Sequence, residues 1–111
     1  MENYMLIQKN CLVVFMPAEI DHSIASKLQL QIDHAILDER VKHVVFDYEK
    51  TTFMDSSGIG LVVGRYQKIN KLGGVLLAIH LNERMKRIMK MSALEKYIHI
   101  VEKKGEEEKI I

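Results

Sequence analysis

Three short apolar runs, "CLVVFM" at 11–16, "HVVFDY" at 43–48 and "VLLAI" at 75–79, are separated by stretches whose apolar residues follow helical spacing. Runs this short and this rich in β-branched residues read as buried strands. In the first intervening stretch, Ile24, Leu28, Ile32, Ala35 and Ile36 lie at helical spacing, with Asp21 or Ser23 placed to cap the start. In the second, residues 57–71, Ile59, Val62, Val63, Tyr66 and Ile69 share one face, and Gly73-Gly74 ends the helix. Strands that alternate with helices of this length are joined by right-handed parallel crossovers.

The flanks complete the pattern. "YMLIQ" at 4–8 precedes the first run across a "KN" turn and reads as a hairpin partner, and Pro17 stops the second strand. After "VLLAI" comes a third amphipathic helix, "NERMKRIMKMS", with Asn82 as cap and Met85, Ile88 and Met89 turned inward. "YIHIV" at 97–101 is the last strand. The fold class is α/β, with the order ββαβαβαβ: a mixed sheet of about five strands and three main helices. Residues 1–101 form a single domain and 102–111 a charged tail, frayed or weakly helical.

Composition narrows the function. A chain of 111 residues is one domain and can bury about two-thirds of its unfolded surface, enough for a core without disulfides. The formal net charge of +1 gives no field directed at nucleic acid or a membrane surface. No apolar run approaches the length of a membrane span. The lone Cys11 sits in an apolar run and reads as a small core residue; with no signal peptide, the expected compartment is the reducing cytoplasm.

The chemistry concentrates in "FMDSSGIG", residues 53–60, where a strand hands over to a helix. A serine-hydrolase elbow needs glycines two residues either side of the nucleophile, and Met54 and Asp55 stand where the first would be for Ser56 and Ser57. The five histidines, 22, 34, 43, 80 and 99, are scattered singly, so no catalytic residue is assigned. "GIGLVVG" offers a nucleotide-binding alternative through Gly58, Gly60 and Gly64. However, "EKTTFMDSS" separates it from the strand, and Asp55 repels a pyrophosphate. The plainer reading of the three glycines is close packing, with Gly60 and Gly64 letting the helix approach the sheet or a partner. Asp21-His22 and Asp33-His34 are adjacent pairs that do not share a helix face, so no metal site and no cofactor is expected. Two readings remain, a plain capped loop and a modification site: one serine can cap the helix and the other then faces solvent, where a helix N-terminus tolerates a phosphate.

"FMDSSGIGLVVGRYQKINKLGG" resembles the signature of the anti-sigma factor antagonists of the STAS-domain family, the sporulation type above all. "EIDH" at 19–22 resembles the acidic loop that opens the family's first helix, "KHVVFDYEKTTFMDSSG" its central strand and loop, and "MSALEKYIHI" its last helix and strand. The resemblance spans about residues 5–101. It implies a STAS-like fold and a regulator that is not an enzyme. Unphosphorylated, such a protein binds an anti-sigma factor that is also a serine kinase and releases a sigma factor. Phosphorylated, it lets go, and a PP2C-type phosphatase resets it. By the same resemblance the phosphorylated residue is Ser56, Ser57 is a capping or packing hydroxyl, and the partner-binding set is Asp21, Asp55, Ser56, Ser57 and Gly58. "PAEID" replaces the family's common Gly-Glu-Leu-Asp and stiffens that loop. A general stress-response circuit is the alternative within the same family.

Overall fold

The computed structural model describes residues 4–38 and 40–101. β1 (Met5–Gln8) and β2 (Cys11–Phe15) form the expected hairpin, with Lys9 in the turn at φ 57°. β3 (Glu19–Ile20) leads into α1 (His22–Asp38), and β4 (His43–Asp47) leads through a loop to β5 (Phe53–Met54) and α2 (Ser56–Lys71). Then come β6 (Leu76–Ile79), α3 (Glu83–Met91), a 3₁₀ turn at Leu94–Lys96 and β7 (His99–Ile100). The main sheet runs β1-β2-β4-β6-β7, with the hairpin antiparallel and every other pairing parallel.

Five of these strands and all three helices match the sequence reading. Two differences matter. β3 and β5 form a separate two-stranded parallel ladder, pairing Glu19 with Phe53 and Ile20 with Met54. At the other edge β7 is two residues long and not five, because the chain turns through the 3₁₀ segment before it can pair with β6. The tail at 102–111 lies outside the described residues.

One sheet face carries Leu12, Val14, Val44, Phe46, Leu76 and Ala78, and these join all three helices in one core. From α1 come Leu28 and Ile32, from α2 Leu61, Val62 and Ile69, and from α3 Met85 and Met89. The opposite face carries Val45, Leu77, Ile79 and Val101, with Cys11 and Val13 against them. Half-buried there, the Cys11 thiol is pushed up by desolvation, which favours the inert protonated form.

α2 is rotated from the face the periodicity suggested. Its buried positions are Gly58, Leu61, Val62, Arg65 and Ile69, while Ile59, Val63 and Tyr66 flank them. Arg65 is therefore a core residue. Its Nε lies 2.8 Å from Asp33 Oδ1 on α1, an ion pair whose N–H points off the line of a hydrogen bond. Its Nη1 is buried with no hydrogen-bond partner among the described residues. Burial lowers the guanidinium's pKa, and Asp33 opposes that. The helix ends where Gly73, at φ 76°, donates to Asn70 O and Gly74 donates to Ile69 O. A Cβ on Gly74 would collide with the carbonyl oxygen of Lys42, so only glycine lets the chain pass there.

Candidate functional site

The β3–β5 ladder places two helix starts side by side. Each of its strands runs directly into a helix: β3 into α1 through Asp21, and β5 into α2 through Asp55. Hydrogen bonds lengthen the ladder at both ends, from Thr52 N to Ala18 O at 2.8 Å and from Asp55 N to Ile20 O at 3.1 Å. Thr51 Oγ1 donates to Pro17 O, and Asn82 Nδ2 donates to Thr51 O, tying the loop to β2 and to the start of α3. The sequence reading missed this ladder because two-residue strands have no measurable alternation.

Aspartates cap both helices. Asp21 Oδ1 accepts from Ile24 N at 2.9 Å, and Asp55 Oδ1 accepts from Ser57 N at 2.8 Å. The expectation that a serine caps α2 is thus corrected. Asp55 precedes both serines in extended conformation and reaches the free N–H first, as aspartate and serine are equally good caps. Neither hydroxyl is used by the cap, and the two serines differ. Ser57 is half-buried, with Oγ 3.4 Å from His22 Nδ1. Ser56 is exposed and makes no hydrogen bond through its side chain among the described residues.

Gly58 is buried beneath this surface. A Cβ there would lie 2.8 Å from Met54 Cβ and 3.2 Å from Ile20 Cγ2, so glycine lets α2's first turn close on both strands of the ladder. Its contribution is to seat Ser56 and Ser57. Gly60 and Gly64 have nothing within 4 Å of an added Cβ. They do not bring α2 closer to the sheet, contrary to one of the two expectations for them.

Of the residues singled out in the sequence, Asp21, Asp55, Ser56, Ser57 and Gly58 therefore gather at one end of the molecule. His22 joins them from α1, a contact across 35 residues that no local pattern announces. Arg84 of α3 lies 5.5 Å over the half-exposed ring of Phe53 at the same ladder. A second histidine is also paired: His80 Nδ1 is 2.9 Å from Asp47 Oδ1 and 3.9 Å from Glu49 Oε1. Asp47 Oδ1 also accepts from Glu49 N, so this cluster fastens the end of β4 to the end of β6. No helix among the described residues is long and apolar enough to cross a membrane.

The STAS domain family matches residues 5–107. The chain belongs to the STAS-domain family. An anti-sigma F factor antagonist of Paenibacillus polymyxa is 35% identical over 92 residues, covering 83% of this chain and 79% of that protein. An anti-sigma-B factor antagonist of Listeria monocytogenes is 26% identical over 84% of this chain and 81% of its own. Among solved structures, the anti-sigma factor antagonist SpoIIAA in its unphosphorylated form superposes with a TM-score of 0.74 at 24% identity, over 92% of this chain and 88% of that one. Its phosphorylated form superposes with a TM-score of 0.73 at 23% identity, over 96% of each chain. At those identities the two superpositions speak for the STAS fold, and they agree with the mixed five-stranded sheet and three helices seen here.

Proposed function

We propose that this STAS-domain protein is an anti-sigma factor antagonist whose docking surface is the end of the molecule built by the β3–β5 ladder. Unphosphorylated, it binds an anti-sigma factor that is also a serine kinase and so frees a sigma factor. Phosphorylation of Ser56 ends the binding, and a PP2C-type phosphatase restores it. The protein itself is a substrate and a binding module, not an enzyme, and works in the cytoplasm. The relative from Paenibacillus polymyxa supports the class of activity and favours the sporulation circuit over the stress-response one.

The observation that carries the choice of residue is the contrast between the serines. Ser57 is half-buried against His22, whereas Ser56 stands exposed with its hydroxyl uncommitted. A kinase can reach the second without opening the fold. Docking would then use Asp21, Asp55, Ser56 and Ser57 as its polar contacts, with Gly58 holding them from below. A phosphate adds roughly −1.5 to −2 charges beside Asp55 and Asp21. Burying that charge against a partner costs several kcal/mol where no cation meets it, so the complex weakens on the order of a hundredfold while the fold stays intact.

The test is phosphate incorporation from Mg-ATP with an anti-sigma kinase. The unmodified chain should gain one phosphate, Ser56→Ala should fall to background, and Ser57→Ala should still be labelled. Loss of labelling in Ser57→Ala with retention in Ser56→Ala would overturn the assignment. Labelling of the chain by Mg-ATP alone would overturn its reading as a non-enzyme.

A further inference from the structure

We propose that His22 is the protein's own counter-charge to a phosphate on Ser56, so that phosphorylation and proton uptake at this imidazole are coupled. The proposal rests on the reading of Ser56 as the phosphorylated residue. Its geometric basis is independent of that reading. The ladder brings the first residue of α1 against the second residue of α2, and His22 Nδ1 lies 3.4 Å from Ser57 Oγ. His22 is exposed, and no carboxylate engages its ring among the described residues. Asp21 beside it spends its Oδ1 on the Ile24 N–H, and Asp55 spends its own on the Ser57 N–H.

The charged groups of β3 and of the two caps next to this ring are Glu19, Asp21 and Asp55, and Arg84 of α3 stands at the same ladder over Phe53. Three are acids. A dianion one residue away favours the protonated imidazole over the neutral one. Arg84 is the competing cation, and it is engaged over the Phe53 ring at 5.5 Å. A histidine is suited to the task because its ordinary midpoint lies near neutrality, where an added charge decides its state.

The size follows from Coulomb's law. A phosphate one residue from a 3.4 Å contact stands on the order of 7 Å from the ring, and in salt water a dianion at that range raises a histidine midpoint by about half a pH unit. Coupling is reciprocal, so the protonated ring favours the phosphorylated form by the same factor, about threefold. The sign is fixed: the phosphorylated state gains as pH falls through the His22 midpoint. Part of the phosphate's charge is also neutralised in acid, so the partner discriminates less sharply between the two forms there.

The experiment installs phosphoserine at position 56 during synthesis, which makes it independent of the kinase's choice of serine. The imidazole signals of all five histidines are followed by NMR against pH, with and without the phosphate, and His22→Gln assigns the His22 signal. The His22 midpoint should rise by about half a unit, while His34 and His99 stay within about a tenth. The phosphorus signal gives the reciprocal reading: the phosphate's second midpoint should move up in His22→Gln. A His22 midpoint that moves no more than that of His99, or a phosphorus titration indifferent to His22→Gln, overturns the coupling. If the kinase labels Ser57 instead, the functional reading fails while this titration still answers for His22.

Discussion

At the start of α2 the Asp55 carboxylate accepts from the Ser57 N–H and two serines follow it; at its end two glycines turn the chain under the Lys42 carbonyl. The two ends do the same structural job, which is to satisfy a helix terminus, but by different means. The start uses side chains, leaves Ser56 open to solvent and gathers polar residues from α1 and α2. The end uses backbone geometry, and its glycines leave no space for a side chain at Gly74. Between them, Arg65 and Asp33 clamp α2 to α1. A terminus built from side chains can exchange chemistry with a partner at small cost to the fold. One built from close approach cannot change at all.

That contrast orders the expected losses of stability. Gly74→Ala comes first. The added methyl would meet the Lys42 carbonyl oxygen and Ile69 Cγ2, neither of them the far end of a flexible chain. β4 or the α2–β6 turn must shift, at a cost of about 3 kcal/mol or more. Urea denaturation should show a large drop in midpoint or no folded baseline. A variant within 1 kcal/mol of the parent would remove the distinction between the two ends.

The clamp comes next. Removing one member of a fully buried ion pair costs about 3–5 kcal/mol, but Asp33 keeps a quarter of its side chain exposed, and water can reach part of the site. Asp33→Ala should therefore destabilise by about 2 kcal/mol. Arg65→Met leaves the Asp33 carboxylate partly in water with Lys68 Nζ 3.9 Å away, and so should cost less. If Arg65→Met proves the worse of the two, the arginine's packing matters more than its charge.

These residues also mark the limit of what could be read from the sequence. The three helices were legible because each repeats a period over several residues, and the five strands of the main sheet because each is a short apolar run bounded by turn or helix signals. Asn82 was legible as a cap because no other serine, threonine, aspartate or asparagine stands next to it, and its Oδ1 accepts from Met85 N. The cap of α2 was not, because "DSS" offers three good candidates in a row and a one-residue difference decides among them. Arg65 was not, because a single arginine among apolar neighbours commonly lays its stem on the core and keeps its head in water. Its partner Asp33 lies on another helix. The juxtaposition of His22 with Ser57 depends on a ladder of two pairs, Glu19–Phe53 and Ile20–Met54, too short to leave a pattern. What a periodic segment does was readable; what two distant loops do together was not.

Asp55→Ala sharpens the comparison from the other side. It removes the α2 cap and leaves the Ser57 N–H without its acceptor, a loss of about 1 kcal/mol. Ser57→Ala removes no cap and should cost less, which separates the two residues in a single denaturation series. Equal losses would mean that the hydroxyl contact to His22 supports the helix start as much as the carboxylate does.

The smallest expected loss belongs to Ser56. Its side chain is exposed, carries no hydrogen bond among the described residues and stands after the cap, not in it. Alanine suits the first turn of a helix at least as well as serine. Surface substitutions away from caps and buried groups usually fall within about 0.5 kcal/mol of the parent, and Ser56→Ala should do so. The same substitution should abolish phosphate incorporation completely. A residue with the least effect on folding and the greatest on modification is what a side-chain-built terminus permits. Its converse at the other end would be a Gly74 variant that unfolds before any partner is added. Measured together, denaturation midpoint and labelling place each variant on two axes. Ser56→Ala should lie at full stability and no labelling. If it falls instead by more than 1 kcal/mol, Ser56 belongs to the structure of the helix start, and the division of labour between the two ends of α2 fails.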